Sequence, residues 1–426
     1  MAIKNTKVIK MILYTALILL IWRLAYHIQI PLLDRSLLGS QVSMFGFLDV
    51  FSGGALSNYS IVALGISPYI TASIVIQLLQ MDIIPTLKEW AEEGETGQKK
   101  LNQLTRYLAL GLAFVQALTI TIGLAAYYLD KDLMFKVGVE ANAFTYVFLA
   151  LVMTAGTAFV LWLAEKITMK GIGNGTSMFI VAGIIASFPQ MINDLIRQYI
   201  TAEENTVGDI FIFFGILLLM IIIVVGVVFM EAAQRKIPIQ YANRPATAAF
   251  RGRSDSNIPI KLNSASVIPV IFASTLMSLP TTVINFLDSS NTTYWINQIF
   301  NYTQPIGFAV YIILIFVFSF FYSFLQMNPE KMAEDLQKQN AYVPGIRPGA
   351  ETASYISRVL FKITMVGAVY LSIVASIPVI MQKAFKLPAS VQVGGTSLII
   401  VVGVAIETAK QLKTQSQDKQ YRGFIE

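Results

Sequence analysis

Ten stretches of predominantly apolar residues recur along the chain, near 11–29, 65–81, 104–129, 143–163, 176–196, 210–230, 266–287, 305–327, 359–381 and 393–406. An α-helix of about 20 such residues crosses the hydrocarbon core of a bilayer. Backbone amides and carbonyls in that core have no water to bond, so such segments must satisfy each other's polar groups as helices. Composition agrees: 55% of residues are hydrophobic and 13% charged, against roughly 25% charged in a soluble domain. That charge cannot cover a water-facing surface. The expected fold is an all-α, polytopic membrane protein of about ten transmembrane helices. The first stretch begins gradually and lacks a small-residue cleavage site, so it reads as a span rather than a removed leader.

Lysine and arginine set the orientation. With the N-terminus cytoplasmic, only Arg35, Lys131, Lys136, Arg197, Lys383 and Lys386 of the 31 fall outside, and Arg23 lies within the first span. The others collect on the inside, so both termini are expected in the cytoplasm. Two inside loops, 231–264 and 328–357, are long and charged and read as docking surfaces.

The residues exclude much chemistry. Cysteine is absent, so no disulfide, thiolate metal site or thiol nucleophile exists. The lone histidine, His27, makes a histidine-based metal site or a Ser/His/Asp triad a poor reading. Ion-coupled carriers place costly acids, bases or histidines inside the membrane. Here Arg23 and His27 lie at the first span, Asp194 near the end of the fifth and Glu407 near the end of the tenth, and no paired carboxylates or proton relay can be assembled from them. Gly171-Ile-Gly-Asn-Gly175 resembles a phosphate loop only superficially: no strand precedes it and no lysine follows, so it reads as a helix-start turn.

The segment 51–64, Phe-Ser-Gly-Gly-Ala-Leu-Ser-Asn-Tyr-Ser-Ile-Val-Ala-Leu, is too apolar for water and too polar for lipid. One reading is an ordinary external loop. The other is a re-entrant segment that dips into a protein-lined cavity, where irregular backbone survives at membrane depth, before a half-helix that begins near Pro68.

An internal repeat points to an axis. Pro68-Tyr-Ile-Thr-Ala-Ser73 matches Pro269-Val-Ile-Phe-Ala-Ser274 at proline, isoleucine, alanine and serine. Gly175-Thr-Ser-Met-Phe-Ile-Val-Ala-Gly183 matches Gly395-Thr-Ser-Leu-Ile-Ile-Val-Val-Gly403 at six of nine positions. The pairs join spans two and seven, and five and ten. Five spans separate the members of each pair, so their membrane directions are opposite, which is the signature of an inverted repeat about an in-plane axis. Equivalent residues near that axis converge, which selects Ile70 with Ile271 and Ile180 with Ile400. Ile74 and Ile184 lie one helical turn further on the same faces. The repeat alone leaves open whether these isoleucines pack, face lipid or line a passage.

The sequence resembles the SecY/Sec61-alpha family over nearly its whole length. The motifs that carry the resemblance are Ala63-Leu-Gly-Ile-Ser-Pro-Tyr-Ile-Thr-Ala-Ser-Ile74, Lys170-Gly-Ile-Gly-Asn-Gly175, Val267-Ile-Pro-Val-Ile-Phe-Ala-Ser274, Tyr342-Val-Pro-Gly-Ile-Arg-Pro-Gly349 and Gly394-Gly-Thr-Ser397. The resemblance implies two inverted five-helix halves, 1–200 and 201–412, around a central pore, with a cytoplasmic tail at 413–426. It implies a protein-conducting channel of the general secretory pathway in the bacterial plasma membrane, with no catalytic site, cofactor or metal. The segment 51–64, with Gly53, Gly54, Ser57, Asn58 and Tyr59, falls where the family has its plug, a short helix. Ile70, Ile74, Ile180, Ile184, Ile271 and Ile400 fall at the constriction ring, and Val75 and Leu279 at the lateral gate between spans two and seven. Arg235, Lys236, Arg251, Arg253 and Arg347 fall in loops that meet a partner. The implied partners are the SecA ATPase, the ribosome and the small membrane subunits SecE and SecG, with signal peptides and unfolded polypeptides as substrates and the lipid bilayer as surroundings. At the tip of the first loop, where the family commonly reads His-Leu-Pro-Leu-Lys, this chain reads Asn257-Ile-Pro-Ile-Lys261. The competing class is a secondary transporter with the same inverted architecture.

Overall fold

A computed structural model describes residues 6–33, 52–80, 83–127, 142–201, 207–241, 256–284, 291–302, 304–385 and 389–422. The helices are α1 (Thr6–Tyr26), α2 (Ser67–Leu79), α3 (Pro85–Glu92), α4 (Glu95–Tyr127), α5 (Ala143–Lys170), α6 (Gly175–Ile196), α7 (Val207–Ala232), α8 (Ile268–Ile284), α9 (Asn291–Phe300), α10 (Pro305–Gln326), α11 (Pro329–Lys338), α12 (Ala350–Phe385) and α13 (Ala389–Arg422). Each of the ten apolar stretches lies on one of them. Among the described residues, seven helices are long and apolar enough to cross a membrane; Ser67–Leu79 and Ile268–Met277 are shorter apolar helices.

The outer surface is apolar. Phe211, Phe214, Leu218, Ile221, Ile222, Val225 and Phe229 on α7 are exposed, as are Leu13, Leu17, Leu20 and Leu24 on α1. A water-soluble protein does not present such continuous apolar faces. In lipid they cost nothing.

Local chemistry shapes the helix ends. Pro68 sits in the first turn of α2, where its missing N–H is no loss and its fixed φ suits the helix. At 13 residues and 1.5 Å per residue, α2 spans only about 20 Å. It is a half-helix. The Gly171–Gly175 turn joins α5 to α6: the Asn174 side chain accepts from the Thr176 amide at 3.1 Å and the Ile172 amide donates to Thr15 Oγ1 on α1 at 3.0 Å. It is a capped helix start, as its sequence context indicates.

Packing between helices follows the repeat. In the first part of the chain α2 packs on α4, α4 on α5 and α5 on α6; in the second, α8 packs on α10, α10 on α12 and α12 on α13. Two further contacts, α2 with α8 and α6 with α13, close these rows into a ring of eight helices. The helices that join the rows are the four that carry the repeated motifs. Helix α1 packs on α5 and α13, and α7 on α13.

The two long loops also fold together. Strands β1 (Gln234–Tyr241), β2 (Ser256–Lys261) and β3 (Ala341–Tyr342) form one antiparallel sheet in the order β2-β1-β3. Ile237 and Ile260 bury beneath it against Val343, Val359, Leu360 and Ile363. The loops read from sequence as separate docking surfaces are thus one small platform, with α11 and the start of α12 against it. Alternation at period two in β1 is short, and its pairing is long-range, so no span-scale hydropathy pattern discloses it.

Candidate channel site

The helical ring converges on one apolar cluster. Ile74 of α2, Ile180 and Ile184 of α6, Ile271 of α8 and Ile400 of α13 are all buried in it, and half-buried Ile70 packs against it. Ile184 and Ile400 are 1% and 2% exposed. The six isoleucines selected from the repeat thus belong to, or pack against, one apolar cluster, and they stand on the four helices that join the two rows. All are branched hydrocarbons; none can bond an ion or replace its hydration shell.

The segment 52–66 folds back onto that cluster. Ala55, Val62 and Ile66 enter it, while Leu56, Tyr59, Ala63 and Leu64 pack the opposite way against Ala113, Ala117, Leu149 and Met153 of α4 and α5. The segment is a succession of turns and not the short helix expected from the resemblance. Gly53 and Gly54 carry φ of 70° and 82°, a left-handed pair that only glycine adopts without strain and that cannot continue a right-handed helix. Ser57 and Asn58 are half-buried and Tyr59 is buried.

Polar groups tether this segment to α1. Arg23 Nη1 donates to the Gly53 carbonyl at 3.3 Å, and its guanidinium lies 4.0 Å from the Tyr26 ring centre. Asn58 Nδ2 donates to Tyr26 Oη and, at 2.9 Å, to the Gly54 carbonyl. Ser60 Oγ donates to the Ala25 carbonyl at 3.1 Å. Backbone bonds join Ile30 to Tyr59 at 2.8 Å and Ile61 to Ile28 at 3.0 Å. On the far side, a Cβ added to Gly156 of α5 would lie 1.9 Å from the Ile61 carbonyl oxygen, so glycine there is what lets the segment lie against α5. Arg23, Tyr26 and Gly156 were not singled out as site residues from sequence. The signal available was Arg23 itself, since a charge inside a span requires a partner.

Val75 is half-buried on α2 and Leu279 lies on the backbone of α8, the two helices that touch at the seam between the rows. Phe272 of α8 is anchored edge-on against Phe318 and Tyr322 of α10, with centroids 5.8 and 6.2 Å away. In the sheet, Arg235 and Lys236 are exposed on β1. Arg347 is exposed on the turn after β3, which is held down by buried Val343 and half-buried Ile346; its carbonyl accepts from Thr352 Oγ1 at 2.8 Å. Arg251 and Arg253 lie outside the described residues.

A carboxylate missed in the sequence reading joins platform to ring. Glu231, at the end of α7, is 4% exposed. Its Oε1 accepts from Asn263 Nδ2 at 3.0 Å and from Ser266 Oγ at 3.2 Å. Asn263 and Ser266 belong to the link between β2 and α8, so Glu231 fixes the entry of α8.

These features define a class: a polytopic, inverted-repeat membrane protein whose segment 52–66 packs into the apolar cluster shared by its repeat-bearing helices. Residues 60–409 match the profile of the SecY family, and the chain belongs to that family. It is 46% identical over 420 residues to the protein translocase subunit SecY of Bacillus licheniformis, covering 97% of this chain and 96% of that one. Among solved structures, it is similar to a SecY protein whose plug domain is described as stabilising the closed translocation channel and maintaining a membrane seal, with a TM-score of 0.65 and 19% identity over 97% of this chain and 93% of that one. It is also similar to Sec61 in the canine ribosome–channel complex from the endoplasmic reticulum, with a TM-score of 0.63, 19% identity and the same coverage.

Proposed function

We infer that this chain is the pore subunit of a protein-conducting channel, passing unfolded polypeptides across the bacterial plasma membrane and releasing apolar segments sideways into it. The observation that carries this reading is the shared cluster: six isoleucines from the four repeat-bearing helices, with Ala55, Val62 and Ile66 of the re-entrant segment packed into it. An aliphatic constriction gates by dewetting, because it offers an ion nothing in exchange for water. The same side chains yield to a passing peptide, since no specific bond has to break. In this reading 51–64 is the plug, the six isoleucines are the constriction ring, and α2 and α8, with Val75 and Leu279, are the edges of the lateral gate. The halves 1–200 and 201–412 move as the two sides of that gate. A signal peptide or transmembrane segment leaves between them, gaining the transfer energy of an apolar helix into lipid.

The chain supplies no energy source of its own in this scheme; a SecA ATPase or a translating ribosome pushes, with SecE and SecG as small membrane subunits. Arg235, Lys236 and Arg347 on the platform, and Arg251 and Arg253 in the same loop, are the contacts for that partner. Both termini lie in the cytoplasm, where the lysine and arginine excess places them. The test is reconstitution of the chain with SecE and SecG in liposomes. An unfolded secretory precursor becomes protease-protected only when SecA and ATP are added. Uptake of a small solute driven by an ion gradient, with no precursor protection, identifies a secondary transporter instead.

A further inference from the structure

Strand β2 ends at Lys261 and α8 begins at Ile268, so residues 262–267 are the link that delivers the chain from the platform into α8. This link is buried at Asn263, Ser264, Ala265 and Val267. It runs between two helices whose glycines make room for it. A Cβ on Gly367 of α12 would lie 3.0 Å from the Leu262 carbonyl oxygen, and one on Gly403 of α13 would lie 3.1 Å from Val267 Cγ1. On the side of α7, the Leu262 amide donates to the Ala233 carbonyl at 2.9 Å. The entry of α8 is therefore enclosed rather than free.

Within the link, Ser266 has a φ of 53°, a left-handed backbone that few residues other than glycine adopt. Such a conformation persists only where its surroundings impose it. Here the buried Glu231 and Asn263 do so. Glu231 Oε1 accepts from Ser266 Oγ at 3.2 Å and from Asn263 Nδ2 at 3.0 Å, and Asn263 Nδ2 also donates to the Ser266 carbonyl at 3.0 Å. Bonds to a carboxylate are stronger than those between neutral groups. The cations within reach of that carboxylate are Lys261 of β2 and Lys410 of α13. Water is close as well, since Arg235 on β1 is already exposed. If the link shifts, Glu231, Asn263 and Ser266 exchange one another for water and the strained turn relaxes. The link thus has two discrete arrangements, one bonded and strained, the other hydrated and relaxed.

We propose that Glu231 is a positioning residue for the gate: its bonds to Asn263 and Ser266 hold α8 closed against α2, and breaking them lets α8 swing about the Ser266 turn. The inference rests on the reading of α2 and α8 as the gate edges. Helix α8 carries Ile271 into the apolar cluster and touches α2, so a movement at its entry reaches both the cluster and the seam. The same bonds sit at the root of the β1–β2 hairpin, because β1 starts just after Glu231 and β2 ends just before Asn263. A displacement of the sheet arrives at these bonds before it reaches the rest of α8.

The chain has no cysteine, so one introduced thiol reports on α8 alone. Ser274→Cys places it at a buried position three residues after Ile271, on the same helix face. The full chain, reconstituted with its small membrane subunits, is labelled with a water-soluble maleimide at rest. Glu231→Ala is expected to speed labelling by about five- to thirtyfold, the population change that follows the loss of one or two such bonds. Glu231→Gln restores a near wild-type rate, because its amide oxygen accepts the same two bonds, and Glu334→Ala, on the exposed face of α11, changes nothing. In the export assay, a precursor with a shortened, less apolar signal segment gains severalfold in Glu231→Ala while the amount of inserted protein stays constant. A purely structural role predicts the opposite, loss of inserted protein and of export together. If Glu231→Ala inserts poorly, Ser266→Ala, which removes one bond only, decides with a severalfold faster labelling. Unchanged labelling in Ser266→Ala, or faster labelling with no gain for the weakened precursor, overturns the proposal. If even the wild type protects no precursor, it is the channel reading that fails, and the labelling rates still decide whether Glu231 holds α8.

Discussion

Ile400 and Ile70 occupy the same apolar cluster at different depths, one 2% exposed and the other half-buried. Asparagine at either position places an amide in the proposed ring that can hold water, which lowers the dewetting barrier. At Ile400 the amide is also buried without a designed partner, which costs about 1–3 kcal/mol; at Ile70 the cost is smaller. Both variants are expected to pass ions in planar bilayers without substrate, and the milder Ile70→Asn separates leak from instability. Ile221→Asn, on α7 where the side chain is 61% exposed to lipid, leaves the seal intact although it harms insertion. Unchanged currents in both ring variants, measured also in a background with 57–63 deleted, refute the ring. The repeat selected these isoleucines because equivalent positions near a two-fold axis approach each other, and the structure shows them in or against one apolar cluster. Arg23 was legible only as a charge within a span that needs a partner, and Glu231 was not legible as a site residue. Their partners, the Gly53 carbonyl and the Asn263 and Ser266 side chains, come from segments that nothing in the local pattern brings near.

The re-entrant segment shows what element-scale reading reaches. Its mixed glycine, serine and apolar composition indicated irregular backbone at membrane depth, and the half-helix starts beside Pro68 as expected. Its internal form was not legible, because the left-handed pair Gly53–Gly54 and the tethers to α1 set it, and those depend on α1 lying alongside. Gly156→Val tests the packing. Its Cβ would meet the Ile61 carbonyl at 1.9 Å, so the segment must lift from α5, a repacking of the kind that costs about 1–3 kcal/mol. A cysteine at half-buried Ser57 is expected to react slowly with a membrane-impermeant thiol reagent at rest. It should react faster during translocation, and faster at rest when Gly156→Val is added. Equal labelling rates in all three conditions would show that the segment is not held in the pore.

At the scale of the whole molecule, the platform and the ring are two units joined through Glu231, α8 and α12. Arg347 stands on the platform with its side chain exposed and its turn fixed by Val343 and Ile346, so Arg347→Glu inverts a surface charge while leaving the packing alone. Stability should change by less than about 0.5 kcal/mol, whereas SecA-driven export should fall sharply. Loss of inserted protein in step with loss of export would mean a structural role instead. The amino-acid order by itself determined the membrane class, the helical segments and the inverted repeat. Each follows from hydrophobicity and chain direction, which are local or periodic properties. Only the tertiary structure decided that two distant loops share one sheet, that eight helices close into a ring, and that α1 grips the re-entrant segment. Those depend on contacts between residues far apart in the chain, where one glycine, carbonyl or carboxylate suffices and leaves no periodic trace.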